Sequence, residues 1–273
     1  MHTLPDAGRR PAALSVLVLA IALWMSVPLR LLIPGSELDF GFTLDNAIFV
    51  IENAAMAGTV VLAVGSAAVR GRRVLTGAVV VVGVHLLFQL GTAAVQLMKG
   101  APPELILGTL AGILVLLVAL AGVLLARLLR DPTTARRAGL VVALVGAVIH
   151  TLWTNVLLPL VAVLPYGGPA PGWIWSLLLT MVLSLLVVAA VALCGWAAPT
   201  TRRIGALLAA VVGILGIVAG SGAIAGIGEA YGAVQIVQGL TTLAAVPLAV
   251  VAGRRLAAAR RTGTGSASLT ARS

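Results

Sequence analysis

Charge is what this sequence has least of. Only 10% of its 273 residues are charged and 60% are apolar, with a mean hydropathy of +1.14. An average soluble domain carries roughly 25% charged residues. A chain this apolar cannot cover a globule with polar surface, which excludes soluble enzymes, nucleic-acid binders and disordered proteins. Acidic residues number eight and Lys99 is the one lysine. The single cysteine, Cys194, rules out an intrachain disulfide, a Cys-pair redox centre and a Cys-rich metal site.

Catalytic signatures are missing as well. There is no P-loop and no His-Glu-x-x-His zinc motif. Ala219-Gly220-Ser221-Gly222 lacks the first glycine of a rhomboid-type serine motif, and no histidine follows His150. No aspartate follows Asp131, so the aspartate-rich prenyl-diphosphate motifs are absent. The last apolar run holds no lysine for a retinal Schiff base.

What is present is a series of long apolar runs. A helix needs ~20 apolar residues to cross the hydrocarbon core. Eight runs meet that length: 12–33, 46–69, 74–98, 105–127, 138–161, 172–197, 204–227 and 232–253. Unbroken runs of this length exclude the ~10-residue alternating strands of a membrane barrel. The fold class is therefore all-α, a polytopic bundle of eight transmembrane helices. Residues 1–11 form a cytoplasmic N-terminal tail, 12–253 the membrane domain, and 254–273 a disordered basic tail drawn to anionic lipid. The first run is too long for a signal peptide's apolar region and reads as a retained span.

The net charge of +10 belongs to orientation, not to nucleic acid. Of the 18 basic residues, 16 fall in the two tails and in alternate loops; Arg30 and Lys99 alone lie on the other side. This split places both termini in the cytoplasm of a plasma-membrane protein. Tyr166, Trp173, Trp175 and Tyr231 fall at the outer interface. An arginine pair precedes each odd-numbered run, at 9/10, 72/73, 136/137 and 202/203, with spacings of 63, 64 and 66 residues. Together with Thr133-Thr134-Ala135-Arg136-Arg137 beside Thr200-Thr201-Arg202-Arg203, this suggests four repeated hairpins. Evenly spaced hairpins would show basic pairs even without duplication. Repeats often place a binding site at their interface.

Polar residues inside spans are costly and mark candidate sites. His85, Gln89, Thr92 and Gln96 recur on one helix face of the third run. The fifth run carries His150, Thr151, Thr154 and Asn155, and the second carries Glu52 and Asn53. Ser176, Thr180 and Ser184 form a stripe in the sixth, and Tyr231, Gln235, Gln238 and Thr242 another in the eighth. The fourth run is almost wholly apolar and is expected to face lipid. Depth places His85 and His150 near mid-membrane, Glu52 toward the outer end, and an apolar half beneath them. This describes a polar vestibule open to the outside. Its expected ligand-binding residues are Glu52, Asn53, His85, Gln89, Gln96, His150, Asn155, Gln235 and Gln238. The bland alternative is that hydroxyls bond their own backbone and amides join helices, each for ~1 kcal/mol or less.

Eight helices in even hairpins with mid-membrane histidines are similar in outline to the haem A synthases. That family has four histidine ligands and a Glu-x-x-His-Arg motif. Glu52-Asn53-Ala54-Ala55 does not match it and this chain has two membrane histidines, so no function is carried over. The leading expectation is a protein that binds, and transports, a small or lipid-like solute, with the bilayer as its other partner. The alternatives are an outer-leaflet enzyme with Glu52 as acid or base assisted by His85 or His150, a b-type haem protein with His85 and His150 as ligands, and an accessory subunit of a larger complex. Composition names no cofactor.

Overall fold

The computed structural model describes residues 44–69, 71–101, 103–129, 131–157, 171–195 and 198–226, with scattered helical positions between 14 and 20 and between 236 and 254. Side chains at 44–54, 155 and 171–177 are among those outside the described residues. Every regular element among the described residues is helical: α1 (Leu44–Val69), α2 (Arg72–Met98), α3 (Pro103–Leu128), α4 (Pro132–Leu152) with a π-helical turn at Trp153–Leu157, α5 (Pro171–Gly195) and α6 (Pro199–Gly226). Four helical stretches, Arg72–Met98, Leu105–Leu128, Thr134–Leu152 and Thr200–Ser221, are long and apolar enough to cross a membrane. Shorter apolar helical stretches run over Ala55–Val69 and Met181–Cys194. In lipid a backbone must satisfy its own hydrogen bonds, and a helix does so within one segment.

α1 is the central helix. Every residue from 58 to 69 is buried, because α2, α3, α4 and α5 all pack against it. Its Val60 and Val64 meet a core that includes Val82 of α2, Val115, Leu116 and Val123 of α3, and Val191 of α5. α2 lies at the edge, packing on α1 and α3, with Val80, Val84, Leu87 and Phe88 bare of protein. α6 packs chiefly on α5.

The fourth apolar run departs from its expected lipid-facing position. As α3 it makes the most extensive helix contact among the described residues, against α4, and also touches α1 and α2. Its buried stripe runs through Thr109, Val115, Leu116, Ala119, Val123 and Ala126, while Leu107, Leu110, Leu114 and Leu117 point outward. Between lipid-embedded helices there is no hydrophobic driving force, so small residues that admit close approach decide which face is covered. Gly122 and Gly139 show how close that approach is. A Cβ on Gly122 would lie 2.6 Å from the Ala143 amide nitrogen, and one on Gly139 would lie 2.6 Å from the Gly122 carbonyl oxygen.

Helix starts are set by capping rather than by the first apolar residue. α4 begins at Pro132, six residues before the apolar run, and α6 at Pro199, five before its run. Proline suits the first helical position because its missing N–H has no partner there anyway. Asp131 caps α4: its Oδ2 accepts from the Thr134 backbone N–H at 2.9 Å and from the Thr134 hydroxyl. Replacing Asp131 with Ala should cost about 1 kcal/mol. A small drop in melting temperature, reversed by Asn, is the expected result.

The turn between α2 and α3 is equally well specified. Gly100 has φ +64, its N–H bonds the Leu97 carbonyl at 3.2 Å, and the Ala101 N–H bonds the Gln96 carbonyl at 2.9 Å. This paired pattern closes a helix with glycine in the left-handed region. The sharp reversal brings the end of α2 level with the start of α3.

Early helix starts also move the arginine pairs out of the loops and into helical turns. Arg137 and Arg203 are exposed, but the first member of each later pair turns inward: Arg202 is 2% exposed and Arg136 is half-buried. Arg136 Nη2 donates to the Ala68 carbonyl oxygen at 2.7 Å. That carbonyl belongs to the last turn of α1, where unpaired oxygens and the helix dipole favour a cation.

Candidate functional site

The polar stripe of α2 faces the bundle interior, wedged between α1 and α3. Its register follows from the two tight turns that flank α2. α1 and α2 form an antiparallel pair, which sets Thr59 opposite His85. The Thr59 hydroxyl lies 2.9 Å from His85 Nδ1 and also 2.9 Å from the carbonyl oxygen of Ala55, one turn earlier on α1. At the other end of the stripe, Thr109 Oγ1 of α3 lies 2.8 Å from Gln96 Oε1 and 3.1 Å from the Leu105 carbonyl oxygen, and its single proton is shared between these two acceptors.

Gln89 lies between these two contacts and is the most enclosed member of the stripe, at 2% exposed. Its Oε1 is buried without a hydrogen-bond partner among the described residues. The amide is seated beside Gly112 of α3. A Cβ at Gly112 would fall 3.5 Å from Gln89 Oε1 and 3.1 Å from Met56 Cε of α1. The absence of a side chain at position 112 thus leaves room for the glutamine head.

His150 of α4, within electrostatic reach of His85, is buried. The helix breaks regularity directly after it. Thr154 Oγ1 donates to the His150 carbonyl at 2.8 Å, and a π-helical turn occupies Trp153–Leu157 where a straight α-helix is expected to 161. The same i−4 back-bond occurs within regular α-helix at Thr59 of α1 and Thr76 of α2, so it does not by itself account for the wider turn.

The other expected site residues divide as follows. Glu52 and Asn53 lie on α1, but their side chains are outside the described residues, as is that of Asn155. Gln235 and Gln238 also lie outside the described residues. By register, Glu52 precedes Thr59 by seven residues and shares its helix face. Among the described residues no cluster of three His, Cys, Asp or Glu side chains could hold a metal ion.

Four participants are absent from the expected set: Thr59, Thr109, Met56 and Gly112. The hydroxyls had a readable signal. Thr59 continues the Glu52 face at i+7, and Thr109 mirrors Gln96 across the Lys99–Pro103 turn. Met56 and Gly112 had none, because apolar and small residues abound throughout.

No family model matches this chain, and neither the curated proteins nor the solved structures contain a significant match to it.

Proposed function

We propose that this chain is an eight-span plasma-membrane protein, with both termini in the cytoplasm, that binds a small or lipid-like solute at the α2 stripe and carries it from the outer side. The orientation rests on the 16 of 18 basic residues on one side. It puts the starts of α2, α4 and α6 inward, and Gln96 toward the outer surface. From Gln96 the stripe then descends about 10 Å to Gln89 and a further ~6 Å to His85. Beneath His85 the buried positions of α2 are Val82, Ala78 and Leu75, which close the inner half with apolar side chains.

The observation that carries the reading is Gln89. A buried polar atom without a partner costs about 1–3 kcal/mol, and intramembrane polar groups generally line substrate paths or pair with one another. His85 and Gln96 on the same face have protein partners; Gln89 Oε1 does not. A residue retained only to join helices would not leave its amide oxygen buried without a partner among the described residues. A solute offering a hydrogen bond at that level accounts for both its burial and its vacancy.

The test is native mass spectrometry of protein purified in mild detergent from its own membrane. Wild-type protein should carry a stoichiometric small mass, and Gln89→Leu should retain less than about a tenth of it, given ~1.4 kcal/mol or more from the lost contact. Glu52→Gln should bind normally if the protein is a carrier, whereas an enzyme using that carboxyl would lose turnover. If Gln89→Leu melts higher and the bound mass is unchanged, Gln89 is a packing residue and the solute site lies elsewhere.

A further inference from the structure

The one-proton chemistry of Thr59 bears on what the solute must offer, and this step rests on the solute-binding reading above. A threonine hydroxyl has a single proton to donate. Two acceptors compete for it at equal distance, the Ala55 carbonyl oxygen and His85 Nδ1, each at 2.9 Å. The carbonyl has no proton to give, so its contact with Thr59 exists only if Thr59 donates to it. The imidazole can supply its own proton. Both contacts are therefore satisfied together in one arrangement: Thr59 donates to Ala55, and His85 Nδ1–H donates to Thr59.

That arrangement fixes the neutral tautomer, and with it Nε2 becomes a hydrogen-bond acceptor. Gln89 lies four residues further along α2, on the same helix face and one turn toward the outer end. Its Oε1 is a further acceptor, without a partner among the described residues. Among the described residues packed around this level, the titratable group besides His85 is His150 of α4, and no lysine or arginine side chain is present to receive an anion.

We propose that Thr59 holds His85 in the Nδ1–H form, so that His85 Nε2 and Gln89 Oε1 make a two-acceptor site for a solute bearing hydroxyl or amine donors. A neutral hydroxylated lipid headgroup fits this pair. A carboxylate or phosphate does not, since both of its partners would be acceptors facing its own oxygens.

The experiment uses ¹⁵N-histidine-labelled full-length protein in nanodiscs of zwitterionic lipid. His85 is assigned by the loss of its signals in His85→Asn, and one-bond N–H coupling reports which ring nitrogen carries the proton. Wild-type protein should show the proton on Nδ1, and Thr59→Val should move it to Nε2. The solute probes are monoolein and oleate, which share one acyl chain and differ in the headgroup. Monoolein should shift the His85 Nε2 resonance, oleate at the same membrane fraction should not, and Gln89→Leu should weaken the monoolein effect about tenfold or more. A proton on Nε2 in the wild type overturns the acceptor pair while leaving solute binding standing. Preference for oleate overturns the donor selection. A correct tautomer with silence from both probes overturns the selection and counts against the solute-binding reading as well.

Discussion

Gly139→Leu should separate α3 from α4 and leave most of the protein unfolded at temperatures where wild type is intact. A Cβ at this position would meet the Gly122 carbonyl oxygen at 2.6 Å, Ala126 Cβ at 2.6 Å and the Ala126 amide nitrogen at 2.7 Å. Two of these three atoms are backbone, so no rotamer change relieves the contact. The helices must move apart instead, along the most extensive helix interface among the described residues. Overpacking of this kind costs roughly 3 kcal/mol or more. By the scaling for chains of 150–250 residues, that lowers the melting temperature by about 10 °C. Cys194 provides the readout, because the chain has no other cysteine and this thiol is buried. Maleimide labelling should be slow in wild type and fast in Gly139→Leu at the same temperature. Gly91→Ala is the control: a Cβ there meets nothing within 4 Å. Its effect should be neutral or stabilising by up to ~1 kcal/mol, the helix-propensity difference between the two residues.

Arg136→Met carries the second large effect. The methionine keeps most of the side chain's length and apolar stem but removes the donor to the Ala68 carbonyl oxygen at 2.7 Å. It also removes a cation from the C-terminal end of α1, where the helix dipole is negative. Hydrogen bonds to charged groups contribute about 1.5–3 kcal/mol, and the carbonyl left behind is buried in protein. A loss of about 3 kcal/mol is expected, read by the same Cys194 labelling. Arg137→Met, one residue on, is exposed and should change stability by less than about 0.5 kcal/mol. A basic-residue count treats the two arginines as equal, since both set orientation. Stability measurements should tell them apart sharply.

Much of the architecture was legible because a membrane helix announces itself by length and apolarity alone. Helices Leu44–Val69, Arg72–Met98, Pro103–Leu128, Pro171–Gly195 and Pro199–Gly226 fall on five of the eight runs, and Pro132–Leu152 with its π turn on a sixth, while most of runs 12–33 and 232–253 lies outside the described residues. The neighbours of each helix were not legible in the same way. Apolarity cannot distinguish a face that meets lipid from one that meets another helix, which is why α3 was misplaced. The distinguishing signal was the small-residue file of Ala119, Gly122 and Ala126 answering Gly139, Ala143 and Gly146 across the turn. At the site, the α2 stripe was readable because four polar residues on one face stand out in a run of valines and leucines. Thr59 was not, since a lone hydroxyl in an apolar helix usually back-bonds and means nothing more. It does back-bond here, and the same oxygen also serves His85. The π turn after His150 had no sequence warning, because Thr154 back-bonds just as Thr59 and Thr76 do inside regular helix.

The sheathing of α1 has a consequence for how the protein is made. Residues 58–69 end with protein on every side, yet the last of the four helices that cover them, α5, begins more than a hundred residues later in the chain. At a synthesis rate of roughly 5–20 residues per second, the face of α1 that α5 covers waits on the order of 10 s against acyl chains. Its smooth surface of valine and alanine tolerates that delay. The polar face that begins at Thr59 does not, and it needs α2 as soon as α2 leaves the ribosome. The two-residue connection between Val69 and Arg72 makes α2 the first of these four helices to arrive, so biogenesis pairs Thr59 with His85 before α3, α4 or α5 can cover the central helix.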